Sequence, residues 1–136
     1  MNREMANEWL RSASGDLETI EAIIDNSNLT HIVAFHSQQC VEKSIKAILE
    51  LYEVTVPKTH SILKLSKVAE EFFDIGDKET ADELDKLYID TRYPGDFGLL
   101  PDGKPTSEKA RALYQFARNI YADAEIIVKK GTSNNR

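Results

Sequence analysis

The sequence predicts an all-α fold, an up-and-down bundle of four to five helices. Apolar residues recur at three- and four-residue steps through most of the chain, which is the spacing of one face of a helix. No segment alternates apolar and polar residues well enough to predict a strand. Polar, glycine and proline residues interrupt the helical pattern at intervals, so we expect short connections between antiparallel helices.

The first helix is predicted from about Met5 to Asp25, and the second from about Leu29 to Glu53. The polar run over residues 25–28 separates them, because short polar side chains compete for backbone hydrogen bonds. The core-facing stripe of the first helix comprises Trp9, Leu10, Ala13, Leu17, Ile20 and Ile24.

The connection over residues 54–60 contains β-branched residues and a proline, which disfavour helix. Thr59 or Ser61 is expected to cap a third helical segment, which Gly76 ends. A fourth helix is predicted from about Lys78 to Arg92.

Residues 93–105 hold three prolines and three glycines and are predicted to form a loop. Loops of this length in compact domains are often functional or mobile. Thr106 or Ser107 is expected to cap the last long helix. Residues 131–136 are expected to be a disordered tail, which leaves a single domain over residues 1–130.

Charge and composition limit the function. The net charge of −6 counts against general nucleic-acid binding, which relies on a surplus of Lys and Arg. Cys40 is the single cysteine, so neither a disulfide framework nor a cysteine-rich zinc site is predicted, and we assign no metal site. Because no apolar run approaches membrane length and the amino terminus is polar, we expect a soluble, cytoplasmic protein without membrane contacts.

The second predicted helix carries polar residues in an arc well away from its apolar side. At about 100° per residue, this narrow arc contains His36, Gln39, Lys43 and Lys46. A row of hydrogen-bonding and cationic groups suits a polar or anionic ligand, but a solvated helix face has the same spacing. Gln38 borders the apolar arc and is interpreted as an internal hydrogen-bonding residue.

Three sequence blocks together resemble the HEPN family. They are FHSQQCVEKSIKA at 35–47, PKTHSIL at 57–63 and LYIDTRYP at 87–94, in the family's order and at its usual spacing. The resemblance implies a helical bundle that often forms a homodimer. Stand-alone members similar to this chain are commonly encoded beside a minimal nucleotidyltransferase and have been proposed to bind nucleotides. Other branches of the family are metal-independent ribonucleases.

The signature of the ribonuclease branch is an Arg followed four to six residues later by a His at a helix end. In that branch the His would act as acid and base, and the Arg would stabilise phosphate charge. Here no histidine follows Arg92, and His31, His36 and His60 all lie upstream of it. The motif is therefore absent. We assign no catalytic residue and expect the protein not to be an enzyme.

The predicted function is a non-catalytic nucleotide- or phosphate-binding module that dimerises, partners a minimal nucleotidyltransferase, or does both. No cofactor is assigned other than a possible nucleotide ligand. The alternatives are a ribonuclease toxin that uses His36 or His60 with Arg92, and a pure protein-interaction subunit. The predicted ligand-binding residues are Gln39, Lys43, Lys46, His60, Tyr88, Arg92 and Tyr93.

Each of these residues also has a structural interpretation. Either lysine could be solvated, and Lys46 could pair with Glu42 or Glu50 along the helix. His60 stands at a helix start, where free N–H groups favour an anion, but it could simply pack the turn. Arg92 offers a planar fork for phosphate, and a tyrosine ring can stack on a base. The arginine could equally pair with a nearby aspartate, and its candidates are Asp85, Asp90 and Asp96.

Overall fold

The structure is a computed structural model that describes residues 1–92 and 103–133, without the side chains of residues 90–92 and 132–133. Over these ranges the chain is helical and contains no strand, so the all-α prediction is confirmed. None of the helices described is both long and apolar enough to cross a membrane. The helices are α1 (Arg3–Ile23), α2 (Thr30–Leu51), α3 (Ile62–Val68), α4 (Lys78–Arg92) and α5 (Ser107–Ser133), with a 3₁₀ turn at Ser27–Leu29.

Short polar side chains cap the starts of three helices, and the caps of α3 and α5 are among the candidates that the sequence offers. The Asn2 side chain accepts a hydrogen bond from the backbone N–H of Met5 and so caps α1. Of the two candidates for α3, Ser61 is the cap, since its hydroxyl accepts from the Lys64 N–H at 3.2 Å. Thr106 plays the same part for α5.

Helix α2 lies at the centre of the bundle and packs against all four other helices. Burial therefore extends around most of its circumference instead of covering one arc. Polar residues on α2 are buried along with its apolar ones: they are Thr30, Ser37, Gln38, Glu42, Ser44 and Lys46. The interpretation of the polar row as a solvated face is wrong for Lys46, because α1 and its neighbours cover that part of the helix.

The third helical segment is shorter than predicted, because α3 ends at Val68 and not at Gly76. Beyond this end the Phe72 ring stacks on Tyr52 at 4.1 Å between centroids, while Phe73 and Ile75 remain buried. Burial of these apolar side chains holds the segment against the bundle without helical geometry. Gly76 then turns the chain with a φ of 79°, a conformation that favours glycine.

The last helix is longer than predicted. It continues to Ser133, so residues 131–133 are helical and not part of a disordered tail. Gly131 is buried against the end of α2, where a Cβ atom would lie only 2.7 Å from Leu51 Cδ2. The rest of the predicted tail, residues 134–136, and most of the predicted loop, residues 93–102, lie outside the described residues.

Cys40 lies in the interface between α2 and α5, with its Sγ 3.8 Å from the backbone oxygen of Ala117. Burial raises the pKa of the thiol to about 12, and the charge of Asp16 adds to this effect. Since the thiolate is the reactive form of cysteine, Cys40 is an inert core residue in the folded protein.

The raised pKa of the Cys40 thiol should make the free energy of unfolding depend on pH. Below its ordinary pKa of 9.0 the thiol is neutral in both states, and the stabilising effect of the raised pKa is fully present. As the pH rises from there towards about 12, ionisation in the unfolded chain alone removes about 1.4 kcal/mol of unfolding free energy per pH unit. Urea unfolding of the wild type and of Cys40→Ala over this range measures the difference. Parallel pH profiles for the two proteins would contradict the prediction.

Candidate functional site

Two buried carboxylates organise the polar side of α2. The first belongs to Asp16 of α1, whose side chain is 8% exposed. One of its oxygens lies 2.8 Å from His36 Nδ1, and the other accepts a hydrogen bond from Lys43 Nζ at 3.0 Å. Asp16 thus orients a histidine and a lysine of the neighbouring helix together.

The second carboxylate belongs to Glu42 of α2 itself, and its side chain is 5% exposed. It accepts hydrogen bonds from Lys46 Nζ at 2.7 Å and from Gln38 Nε2 at 3.1 Å. His60 Nδ1 lies 3.3 Å from both of its oxygens. Gln38 also donates to the backbone oxygen of His60 at 2.7 Å and accepts from Gln39 Nε2 at 2.8 Å. The prediction that Gln38 is an internal hydrogen-bonding residue is confirmed.

Each buried carboxylate therefore holds one lysine and one histidine. Burying a charge is costly unless it is paired, and here each carboxylate charge is balanced by a lysine within 3.0 Å. Of the two carboxylates within reach of Lys46 along the helix, Glu42 and Glu50, the lysine pairs with Glu42. Both ammonium groups are accordingly bound to carboxylates of the protein itself.

Four rings form a continuous row whose two end rings contact these carboxylates. We call it the aromatic row, and it comprises His36, Phe35, Tyr88 and His60. Phe35 and Tyr88 are stacked at 5.6 Å, with His36 edge-on to Phe35 at 5.3 Å. His60 lies 5.4 Å from Tyr88 at the other end. The row joins α2, α4 and the segment that precedes α3, so the fold brings together parts of all three sequence blocks.

His60 is the accessible end of the aromatic row, with 59% of its side chain exposed. Glu42 engages its Nδ1 atom, and among the described residues nothing lies within hydrogen-bond distance of Nε2. The partner of one imidazole nitrogen determines the protonation of the other. His60 is thus oriented by a buried group while its second nitrogen is left for an external partner.

The start of α3 does not have free N–H groups. The Asp85 carboxylate of α4 accepts from the backbone N–H of Ile62 at 2.8 Å and of Leu63 at 3.2 Å. It also accepts from the Ser61 hydroxyl at 3.0 Å. The N–H groups at this helix start are therefore not available to an external anion, because the Asp85 carboxylate already accepts from them.

Contacts of the two carboxylates and the aromatic row include four of the seven predicted ligand-binding residues, Lys43, Lys46, His60 and Tyr88, and Gln39 is joined to them through Gln38. Of these five, Lys46 and Tyr88 are buried. Arg92 ends α4 one turn after Tyr88, which places the two on the same side of that helix. The Arg92 side chain and the whole of Tyr93 lie outside the described residues.

Of the two carboxylates that hold the site together, sequence reasoning named Glu42 as a candidate partner of Lys46 but missed Asp16. No carboxylate near His36 in sequence pointed to its partner, because Asp16 lies 20 residues away on α1. A signal was nevertheless present. Asp16 falls three residues after Ala13 and one before Leu17, inside the apolar stripe of α1. A carboxylate within a core-facing stripe indicates a buried partner, since an unpaired charge there is costly.

Chemically, the aromatic row can donate or accept hydrogen bonds and exchange protons through its two imidazoles. Among the residues described, no group of three or more His, Cys, Asp or Glu side chains is placed to hold a metal ion. The buried Cys40 offers no nucleophile, since its pKa is raised to about 12.

The model of the HEPN domain family matches residues 6–127 of the chain, which includes both buried carboxylates and all four rings of the aromatic row. The chain belongs to the HEPN family. A comparison with curated protein sequences found no match.

Two crystal structures show the same fold as this HEPN protein. One is ST0689, an archaeal HEPN homologue, with 25% identity and a TM-score of 0.68 over 90% of this chain and 97% of that chain. The other is TT1696 from Thermus thermophilus, with 28% identity and a TM-score of 0.69 over 96% of this chain and 99% of that chain. The similarity extends over nearly the full length of all three chains.

Asp85→Ala is expected to destabilise the protein by roughly 2 kcal/mol, because it leaves two backbone N–H groups and a hydroxyl without their acceptor. Urea unfolding measures the change. Asp82→Ala is the matched control on the same helix, since among the described residues Asp82 pairs only with the exposed Lys86. Its loss should cost less than about 0.5 kcal/mol. Equal effects of the two variants would disprove the capping role.

Glu42 and Lys46 should be energetically coupled. Glu42→Gln or Lys46→Met alone leaves a partner of the buried pair uncompensated, and we expect each to cost about 3–5 kcal/mol. The double variant should cost less than the sum of the single ones by at least about 1 kcal/mol, because it leaves no unpaired charge. A double-mutant cycle by denaturant unfolding gives this coupling. If the free-energy changes of the two single variants add up to that of the double variant, the interaction between Glu42 and Lys46 does not stabilise the protein.

Proposed function

We propose that this HEPN protein is a non-catalytic module that binds a nucleotide, or another ligand with phosphate and aromatic groups, at the aromatic row. The observation that carries the proposal is the His60 imidazole. Its ring is mostly exposed, is oriented by the buried Glu42, and lies against Tyr88. A hydrogen-bond donor next to an aromatic ring, one helical turn from Arg92, suits a phosphate joined to a base.

In this proposal the phosphate is bound by His60 Nε2 and Arg92, and the base lies against Tyr88 or Tyr93. Gln39, which donates to Gln38 at the edge of the network, contributes a polar contact. Arg92 supplies the planar donor group that phosphate oxygens favour.

Lys43 and Lys46 support phosphate binding indirectly. Both ammonium groups lie within 3.0 Å of a buried carboxylate, so the carboxylates largely neutralise their charge. Without them, Asp16 and Glu42 would present two uncompensated negative charges beneath the ligand and repel its phosphates. Because the lysines neutralise these two carboxylates, an anion is not repelled from the aromatic row.

The second candidate function is RNA cleavage, and a specific observation favours it. His36 and His60 each have a carboxylate at Nδ1, an arrangement that orients an imidazole for proton transfer. Against it, Phe35 and Tyr88 lie between the two histidines, so the pair is not adjacent. The Arg-to-His motif of the ribonuclease branch is also missing. Binding therefore ranks above cleavage.

Partners are proposed from the family resemblance. Stand-alone members similar to this chain imply a homodimer, a minimal nucleotidyltransferase partner, or both. The pure interaction subunit remains the alternative if the aromatic row binds no small molecule.

Thermal unfolding against a panel of nucleoside mono- and triphosphates tests ligand binding. A nucleotide present at 100 times its dissociation constant should stabilise the protein by about 2.7 kcal/mol. His60→Ala and Arg92→Ala should each weaken binding about tenfold, because each removes a hydrogen bond to a charged group. Arg111→Ala is the control, since Arg111 pairs with Asp25 outside the site and its loss should leave binding unchanged.

The outcomes separate the candidate functions. If no nucleotide at millimolar concentration raises the unfolding temperature, the binding proposal is wrong. Cleavage of single-stranded RNA by the wild type, lost in His60→Ala while the variant stays folded, would promote the ribonuclease candidate. A stable complex with a nucleotidyltransferase and no effect of nucleotides would favour the interaction subunit.

A further inference from the structure

A cavity of about 350 Å³ opens between α3 and the start of α4. Its apolar lining consists of Leu63, Phe73 and Ile75, of which the last two are buried. The buried Ser66 also lines it, and its hydroxyl donates to the Leu63 backbone oxygen at 2.9 Å, which leaves the hydroxyl oxygen able to accept a hydrogen bond. A concave site of this volume, with apolar side chains and a few polar groups, suits a small molecule.

Four charged side chains complete the lining, two of each sign: Lys67, Glu70, Asp74 and Lys78. One lysine and one carboxylate belong to α3 and the turn after it, and the other two belong to the segment that leads into α4. All four residues are exposed, whereas most of the apolar lining is buried. The charges therefore lie at the mouth of the cavity and the apolar side chains lie deeper.

The four charges do not pair with one another. Within the described ranges, the side chains of Lys67, Glu70 and Lys78 form no ion pair or hydrogen bond. Asp74 accepts one hydrogen bond, from the backbone N–H of Gly76 at 2.8 Å. Spacings of three and four residues favour ion pairs along a helix, but the chain between α3 and α4 is not helical. These charges are consequently available to a ligand.

The two signs together limit the chemistry of that ligand. A simple anion such as phosphate would be attracted by the lysines but repelled by Glu70 and Asp74. A simple amine or a metal cation would be attracted by the carboxylates but repelled by the lysines. A small molecule that carries one carboxylate, one ammonium group and an apolar group satisfies all parts of the lining.

We propose that this cavity binds a free α-amino acid with an apolar side chain. The lysines bind its carboxylate, Glu70 and Asp74 bind its ammonium group, and the Ser66 hydroxyl oxygen accepts a hydrogen bond from that ammonium. The side chain of the ligand packs on the apolar lining, where its burial is favourable. A peptide terminus carries only one of the two charged groups, so the free amino acid is the better match.

The inference goes beyond the proposed function and does not depend on it. The cavity shares no residue with the aromatic row or with Asp16 and Glu42. Amino-acid binding and nucleotide binding can therefore be measured on the same preparations and fail separately.

Titration of the isotope-labelled wild-type chain with L-leucine, followed by two-dimensional NMR, tests binding and locates it. Saturable shifts of backbone amides are expected within residues 63–78. N-acetyl-leucine lacks the ammonium group and leucinamide lacks the carboxylate, so each should bind about tenfold more weakly than leucine. Glycine should also bind about tenfold more weakly, because it has no apolar side chain to bury.

Lys67→Gln and Glu70→Gln should each raise the dissociation constant for leucine about tenfold, since each removes a charged partner of the ligand. Glu70→Gln should leave the binding of N-acetyl-leucine unchanged, because that ligand lacks the group that Glu70 binds. Lys64→Gln is the matched control on α3, since Lys64 is exposed and does not line the cavity. All three positions are exposed, so unfolding temperatures report whether each variant remains folded.

The absence of amide shifts with L-leucine at millimolar concentration would overturn the proposal and leave the nucleotide proposal standing. Shifts centred outside residues 63–78 would overturn the location. Leucinamide or inorganic phosphate binding as tightly as leucine would overturn the amino-acid ligand. Weaker leucine binding in Lys67→Gln and Glu70→Gln, with Lys64→Gln unchanged, supports the proposal.

Discussion

The bundle depends on the compensation of two carboxylates buried beside its central helix. Burial of the Asp16 and Glu42 carboxylates is costly unless hydrogen-bonding partners surround them. Lys43, Lys46, Gln38 and the two histidines are those partners. These contacts tie α1 to α2, and α2 to the segment before α3. The same contacts orient the imidazoles of the aromatic row, so packing and the candidate site share one set of interactions.

Much of the fold could be predicted from local sequence. The apolar steps of three and four residues identified the helices. Because N-caps are local signals, the observed caps of α3 and α5, Ser61 and Thr106, were each one of two candidates that the sequence offered. The predicted end of α3 was wrong, because Phe73 and Ile75 are apolar and buried without being helical, and their burial depends on other helices. The end of α5 was wrong for a similar reason: Gly131, a residue typical of helix ends, lies here in close contact with Leu51.

The candidate site was only partly predictable, because its decisive contacts are distant in sequence. The polar row on α2 was visible, and Gln38 was correctly interpreted as internal from its place beside the apolar arc. Helical spacing alone could not show that Lys43 meets a carboxylate 27 residues earlier. Nor could it show that Asp85 of α4 occupies the start of α3. Helix periodicity describes the faces of one helix, whereas these contacts depend on which faces meet.

The double attachment of His60 to α2 has a dynamic consequence. Gln38 holds its backbone oxygen and Glu42 holds its ring, and both belong to the most deeply buried helix of the bundle. Local opening of a loop usually exposes a site at little cost in free energy. Here the imidazole can change position only if hydrogen bonds to α2 break. Displacement of His60 therefore costs the contacts that Gln38 and Glu42 make to it, and this corner of the aromatic row is fixed by α2.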